Sequence, residues 1–331
     1  MDPISQGLLG ATAAVSLSDK KKMRAAAVVG TIAAMAPDLD VLIRSANDPL
    51  LALEMHRQFT HSLLFVPVGA AIVTFFLWWF LKSYLDLKKI YMFSLIGYGT
   101  HGLMDAFTSY GTKLFWPFLN TRVAWNTVAV IDPLVTLSFI FFIVLALSKQ
   151  KQLYARFGML AFLLFMLFGY FQGQRTTSAM DQLAFERGHT PERMVTRPSI
   201  GNQILWRVNY IYDGRIYTDA VRAGIFTGIK IYEGGSMPEF IIEEEMAGFE
   251  STTLFSDLQR FSHFSDGYLA RHPETSQIIG DARYAMIPTS MIPLWGVEID
   301  TLQTDRHLPF LYFREIDDEQ KTEFFDMLLG N

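Results

Sequence analysis

Four apolar runs, at about 62–81, 90–107, 131–147 and 153–171, constrain this chain more than any other feature. A helix needs roughly 20 apolar residues to cross a bilayer core, and these runs meet that requirement. Two shorter segments rich in Gly and Ala, 3–17 and 25–36, precede them. At about 1.5 Å per residue each reaches only some 18–22 Å. They read as short spans packed on their neighbours or as a re-entrant hairpin, and their small residues favour a packed pair. The expected fold is therefore mostly α, a polytopic membrane domain of four to six segments over residues 1–171. With Asp2 ahead of the first apolar run and no basic stretch before it, no cleaved signal is expected there.

Basic residues set the orientation. "DKKKMR" (19–24), "KSYLDLKK" (82–89) and "SKQKQLYAR" (148–156) join successive pairs of segments. With six crossings all three loops fall on one side, which the positive-inside rule makes the cytoplasm. The loops 37–61 and 108–130, and everything after about 172, then lie outside a bacterial cytoplasmic membrane. Residues 172–331 read as an extracytoplasmic α+β domain. A polar helix candidate, "TTSAMDQLAFERG", is followed by alternating runs "ILWRVNYIY", "RIYTDAV" and "GIKIYEG" separated by Asp-Gly and Gly-Gly turns, the pattern of an antiparallel sheet. A helix near 251–264 and strand-like runs at 283–298 and 309–315 complete that domain.

Composition excludes several chemistries. The chain has no cysteine, so disulfides, thiolate metal sites and a Cys nucleophile are ruled out. Its net charge of −5 and lack of a basic tract argue against nucleic acid as a partner. Any metal must be held by His, Asp or Glu.

Such residues cluster where the topology collects them on one face. "MAPDLDVLI" carries Asp38 and Asp40 behind Pro37, "EMHRQFTHS" carries His56, Arg57 and His61, and "YGTHGLMDAF" puts His101 and Asp105 four apart on one helical face. Measured from Ile90, His101 lies roughly 16 Å and Asp105 roughly 22 Å up the helix, in the outer half of a bilayer core. Ionisable groups at that depth rarely lack a partner. Three His and three Asp together suit zinc, with manganese or iron as alternatives. Taken singly, Asp38 and Asp40 can also start a turn, and Asp132-Pro133 can also start a helix. His56 and His61, five apart, both ligate only if the backbone between them is irregular.

The series "MDPISQGLLGA", "APDLD", "HRQFTHS", "HGLMDAFTSYGTKLFWPF" and "RVAWNTVAVIDP" resembles the YdjM-type family of membrane-bound metal-dependent hydrolases over roughly residues 1–147. "WRV" at 206–208 is similar to a feature of its extended members. The resemblance implies a metal site at Asp38, Asp40, His56, His61, His101 and Asp105. It is also loosely similar to zinc-dependent phosphoesterases. Many members have His where this chain has Gln6, so either this chain uses one ligand fewer or Gln6 binds substrate or a metal-bound water; Ser62, Asn126 and Asp132 are expected to contact substrate or support the site.

The function expected from these readings is metal-dependent hydrolysis of a phosphoester or lipid-type substrate at the outer membrane face by a metal-activated water. Asp38 or Asp40 would orient or deprotonate that water, and Arg57 would neutralise a phosphate oxygen. Membrane lipids are the expected partners. The rivals are a proton- or metal-coupled transporter and a non-catalytic scaffold fixed by its metal.

Overall fold

A computed structural model describes residues 1–331 and divides them into two compact units. The first comprises 1–42, 55–171 and 200–202; the second comprises 43–54, 172–199 and 203–331.

Helices build the first unit: α1 (Pro3–Ser16), α2 (Met23–Met35), α4 (Val66–Leu81), α5 (Leu87–Phe107), α6 (Pro133–Lys149) and the start of α7 (Gln152–Glu186). Between α2 and α4 lies the short α3 (Leu50–Met55). The apolar runs therefore all become helices. Two helical stretches are long and apolar enough to cross a membrane, Lys20–Leu42 and Gln152–Glu186; a third counts if Leu50–His61 and Val66–Leu81, bent by 87°, form one span. Large apolar side chains point away from the bundle, among them Phe76, Trp79 and Phe80 on α4 and Leu163 and Leu164 on α7, as lipid contact would require.

Small residues bring the inner helices together. A Cβ on Gly10 would strike the Gly30 carbonyl, and one on Gly97 would strike the same carbonyl from α5. This three-way approach of α1, α2 and α5 is what the Gly/Ala composition predicts for a packed pair. Ala14, Val15, Ala26, Val29, Ile90 and Phe93 fill the space beside it. The α-helical part of α2 ends at Met35, just ahead of Pro37, and Ala36–Leu42 follows as a 3-10 helix. Pro37 is the second residue of that stretch, in its first turn, where a missing N–H is tolerated.

The second unit is α+β. Strands β1 (Arg193–Pro198), β2 (Leu205–Tyr212), β3 (Arg215–Ala223) and β4 (Ile229–Pro238) form one antiparallel sheet in that order. After α8 (Ile242–Glu245) and α9 (Thr253–Phe264), strands β5 (Leu269–Arg271), β6 (Ile278–Asp281), β7 (Trp295–Glu298) and β8 (Phe310–Tyr312) form a second, and α10 (Asp318–Leu329) closes the chain. On β2, Val208 and Tyr210 pack with Met180 and Ala184 of α7. Ile211 faces the other way, onto Tyr268, Ala270 and Ala282.

Three sequence expectations change here. The polar helix after residue 172 is not separate, because α7 runs unbroken to Glu186; no Gly or Pro stands between its apolar and polar halves except Gly173, which alone weakens a helix by only about 1 kcal/mol. Asp213-Gly214 does turn, with both residues at positive φ, but Gly234-Gly235 lies inside β4 at a register shift opposite Thr218/Asp219. A side chain at Gly234 would strike the Thr218 carbonyl, so these glycines serve close packing of strands. The strand-like run 283–298 shrinks to Trp295–Glu298, and 309–315 to Phe310–Tyr312.

Candidate metal centre

His61, His101, Asp38 and Asp105 converge in the helical unit, with donor atoms all within 4.8 Å of one another. α5 supplies His101 and Asp105 from one face, the 3-10 continuation of α2 supplies Asp38, and the 3-10 turn Phe59–His61 supplies His61. Close approach of α2 and α5 at Gly30 and Gly97 lets His101 Nδ1 reach the Ala34 carbonyl. A carbonyl only accepts, so Nδ1 carries the proton and Nε2 of the neutral ring is bare. His61 is held in the same way: its Nδ1 faces Asp40 Oδ2 at 3.2 Å and Thr60 Oγ at 3.0 Å.

The two Nε2 atoms then face each other at 2.9 Å. Asp38 Oδ1 lies 3.4 Å from His61 Nε2 and 3.3 Å from His101 Nε2. Asp105 Oδ2 lies 3.4 Å and 3.6 Å from the same two atoms. Four donors bonded at about 2.0–2.1 Å to a central zinc stand about 3.3–3.4 Å apart along a tetrahedron's edges. The observed spacings match that figure closely, apart from the shorter His–His edge. Asp105 Oδ2 is buried and accepts no hydrogen bond, facing Arg57 Nε at 3.1 Å. Bare lone pairs gathered in this way call for a cation between them, and His and carboxylate donors suit zinc, manganese or iron. The residues present therefore fit a divalent metal.

Around this quartet the remaining predicted residues take distinct places. Asp40 is fully engaged: Oδ1 faces His56 Nδ1 at 2.7 Å, and Oδ2 accepts from the Arg57 N–H at 3.0 Å and from Thr60 Oγ at 2.8 Å. It acts as the carboxylate behind two imidazoles, the arrangement that fixes ring orientation at metal sites. Asp38, Asp40 and His56 also form a second, adjoining group of possible ligands. The irregular backbone needed between His56 and His61 is present, since Arg57 has φ 62°. That left-handed residue aims its N–H at Asp40 and its guanidinium at Asp105 and Thr108 Oγ.

Gln6 donates from Nε2 to Asp105 Oδ1 at 2.9 Å, and the Met1 amine contacts the same oxygen. It supports a carboxylate and does not join the quartet. Ser62 Oγ bonds the Phe59 carbonyl and caps the turn into α4, while Asp132 caps α6 through the Leu134 and Val135 N–H groups. Asn126 stands at φ 52° with a buried Oδ1 that accepts no hydrogen bond. Sequence reasoning missed Thr60 and the Ala34 carbonyl; a hydroxyl next to His61 was a signal for the first, and nothing in the sequence signals the second.

The second unit holds one further group of this kind, Asp48, Asp257 and His307. Its carboxylates are already neutralised. Arg260 reaches Asp48 at 2.9 Å, Glu54 at 2.8 Å and Asp257 at 2.7 Å. Burial alone would raise the Asp48 carboxyl, but the Arg260 hydrogen bonds outweigh it and hold it below its ordinary range. The cluster is an ion-pair clamp.

An apolar helical unit with a buried His/Asp quartet defines a class, that of integral membrane proteins with a candidate metal centre between helices. The description "YdjM inner membrane protein" matches residues 1–176, over half the chain, and the chain belongs to that family. Among individual proteins it is similar to YfhP of Bacillus subtilis (strain 168), itself described as uncharacterized, with 29% identity over 117 residues. That stretch is 35% of either chain, so the match spans about a third of the relative's length. No solved structure matches.

Proposed function

We propose that this protein is a metal-dependent hydrolase of the bacterial inner membrane, acting on a phosphoester or lipid-type substrate at the outer face. The observation that carries the reading is the set of donor spacings at His61, His101, Asp38 and Asp105. In this reading α1, α2, α4, α5, α6 and α7 all cross, with the Lys/Arg-rich loops in the cytoplasm and the α+β unit outside.

His61, His101 and Asp105 would hold the cation from within, and Asp38, whose side chain keeps 23% exposure, would be the donor at the entrance. A divalent metal there supplies a Lewis acid and lowers the pKa of water towards neutrality. His56 is the other half-exposed member, with 34% of its side chain accessible and Asp40 behind Nδ1. That pairing leaves Nε2 to take a proton, so the base role expected of Asp38 or Asp40 passes to His56, oriented by Asp40. Arg57 stands beside Asp105 with a planar fork suited to a phosphate oxygen. A site reached past Asp38 and His56 between lipid-facing helices favours a substrate that diffuses within the membrane.

The test is elemental mass spectrometry on detergent-purified protein, wild type beside His101→Ala and Asp105→Ala, followed by hydrolysis assays on phospholipids and lipid-linked phosphates. Near-stoichiometric zinc, manganese or iron in wild type, absent from folded variants, is expected, with activity lost alongside. Absence of metal from carefully prepared wild type, or its retention in the variants, would overturn the reading. Unfolding on metal removal would favour a scaffold instead.

A further inference from the structure

We propose that the α+β unit carries a buried binding site for a small oxyanion, phosphate or sulfate, built by Arg197 on β1 and Arg207 on β2. The two residues stand directly opposite each other in the antiparallel pair. Each is only 5% exposed. Like charges in opposed positions repel, and burial removes the water that would screen them. A fold that keeps such a pair needs negative charge nearby.

The protein's own side chains do not supply it. Asp281 is the fully buried carboxylate of the cluster, and Arg283 occupies both of its oxygens at 2.8 Å. Asp266, further out, pairs with the exposed Arg193 at 2.7 Å. Arg207 gives Nη1 to the carbonyls of Pro288 and Ser290 and Nη2 to that of Ala282, all of them neutral, and its Nε is buried without a partner. Arg197 lies over the Tyr284 ring at 4.5 Å, with both Nε and Nη1 buried and unpartnered. Two guanidinium charges and three N–H-bearing nitrogens are thus left without an acceptor that carries charge.

Buried N–H groups seldom go unpaired, and a buried charge without a counter-charge is the costlier case. Burial, helped by the nearby Arg197 charge, pushes Arg207 down to about 9, which registers the same imbalance. A small oxyanion answers both needs at once, because its charge offsets theirs and its several oxygens can accept from the separate free nitrogens, Nε of each arginine and Nη1 of Arg197. The near-complete burial of both arginines selects a compact free anion over a lipid headgroup tethered to its tails. This inference does not depend on the hydrolase reading.

The test uses full-length protein in detergent, stripped of metal with a chelator so that phosphate cannot be held through the helical unit. Equilibrium dialysis with radiolabelled phosphate is expected to show near-stoichiometric binding that sulfate displaces and chloride does not. Thermal midpoints followed by Trp fluorescence should rise by about 5–10 °C once phosphate exceeds its dissociation constant a hundredfold. Arg197→Met should abolish that rise and melt higher than wild type in anion-free buffer, since it removes an unpaired buried charge. Arg197→Lys should keep a reduced rise. No phosphate retained by the wild type, or an undiminished rise in folded Arg197→Met, would overturn the proposal. Displacement by phosphatidic acid vesicles but not by sulfate would transfer the site from a free anion to a lipid headgroup, overturning the compact-anion assignment. Should neither variant fold, dialysis of the wild type still decides.

Discussion

The helical unit and the α+β unit both bury polar groups that their own side chains leave unanswered, but in opposite senses. Around His61 and His101 the surplus is of lone pairs, with two bare Nε2 atoms 2.9 Å apart. Around Arg197 and Arg207 the surplus is of N–H donors and positive charge. In each case the backbone fixes the surplus in place, through the Ala34 carbonyl on one side and cross-strand pairing on the other. The contrast teaches that a buried polar cluster is informative through what it lacks. Compare Asp48, Glu54 and Asp257, whose charges Arg260 already answers and which therefore ask for no ligand.

The largest effect expected is at the lone-pair cluster. Asp105→Asn keeps the shape but removes the charge, and should abolish metal retention on dialysis as read by elemental analysis; retention at wild-type level would dissolve the contrast. Next, two arginines of the other cluster should respond with opposite signs. Arg283→Leu strands the fully buried Asp281 and should destabilise by about 3–5 kcal/mol, whereas Arg197→Met in anion-free buffer should not destabilise at all. Denaturant midpoints of the two variants check this, and equal losses would mean that Arg197 is as well paired as Arg283.

A smaller effect should follow from Gln6→Ala, which leaves the quartet intact but removes one of the two donors to Asp105 Oδ1, the Met1 amine remaining. Metal affinity should fall about 10–100-fold, measured by competition with a chromophoric chelator, while secondary structure stays unchanged. The smallest effect belongs to the neutralised cluster. Asp48 has its pKa lowered in the folded state, so its contribution is present above about pH 4 and fades as pH falls through the folded value. The pair is partly exposed, so the contribution is about 1 kcal/mol or less. Arg260→Gln should flatten that part of the stability profile, and a profile unchanged in the variant would remove Arg260 as the cause.

Much of the candidate metal centre was legible because polar residues are conspicuous against apolar helices. His101 and Asp105 at helical spacing, and Asp38 and Asp40 behind Pro37, could be placed on one face from spacing and topology. Their division of labour could not, since which nitrogen of His61 is bare depends on Asp40 and Thr60, and the Ala34 carbonyl that orients His101 leaves no mark on sequence. In the α+β unit, β2, β3 and β4 announced themselves by alternation, but β5 and β6 have only three and four residues, too short for periodicity to register. Nothing in the local pattern marks Arg197 and Arg207 as buried. They are buried because the 282–290 stretch covers their face of the sheet, as the bonds from Arg207 to Ala282, Pro288 and Ser290 show. Such long-range cover is invisible to a local pattern.

The membership of residues 43–54 has one consequence for how this chain can be cut and inherited. The excursion leaves the helical unit just after Asp40 and returns just before His56, yet it belongs with the later part of the chain, where Arg260 grips Asp48 and Glu54. A fragment ending at Phe171 would keep every candidate ligand and still strip that loop of its anchor. Neither half is a cassette that recombination can move intact, and a gene split at the apparent boundary would have to be expressed as two pieces that find each other.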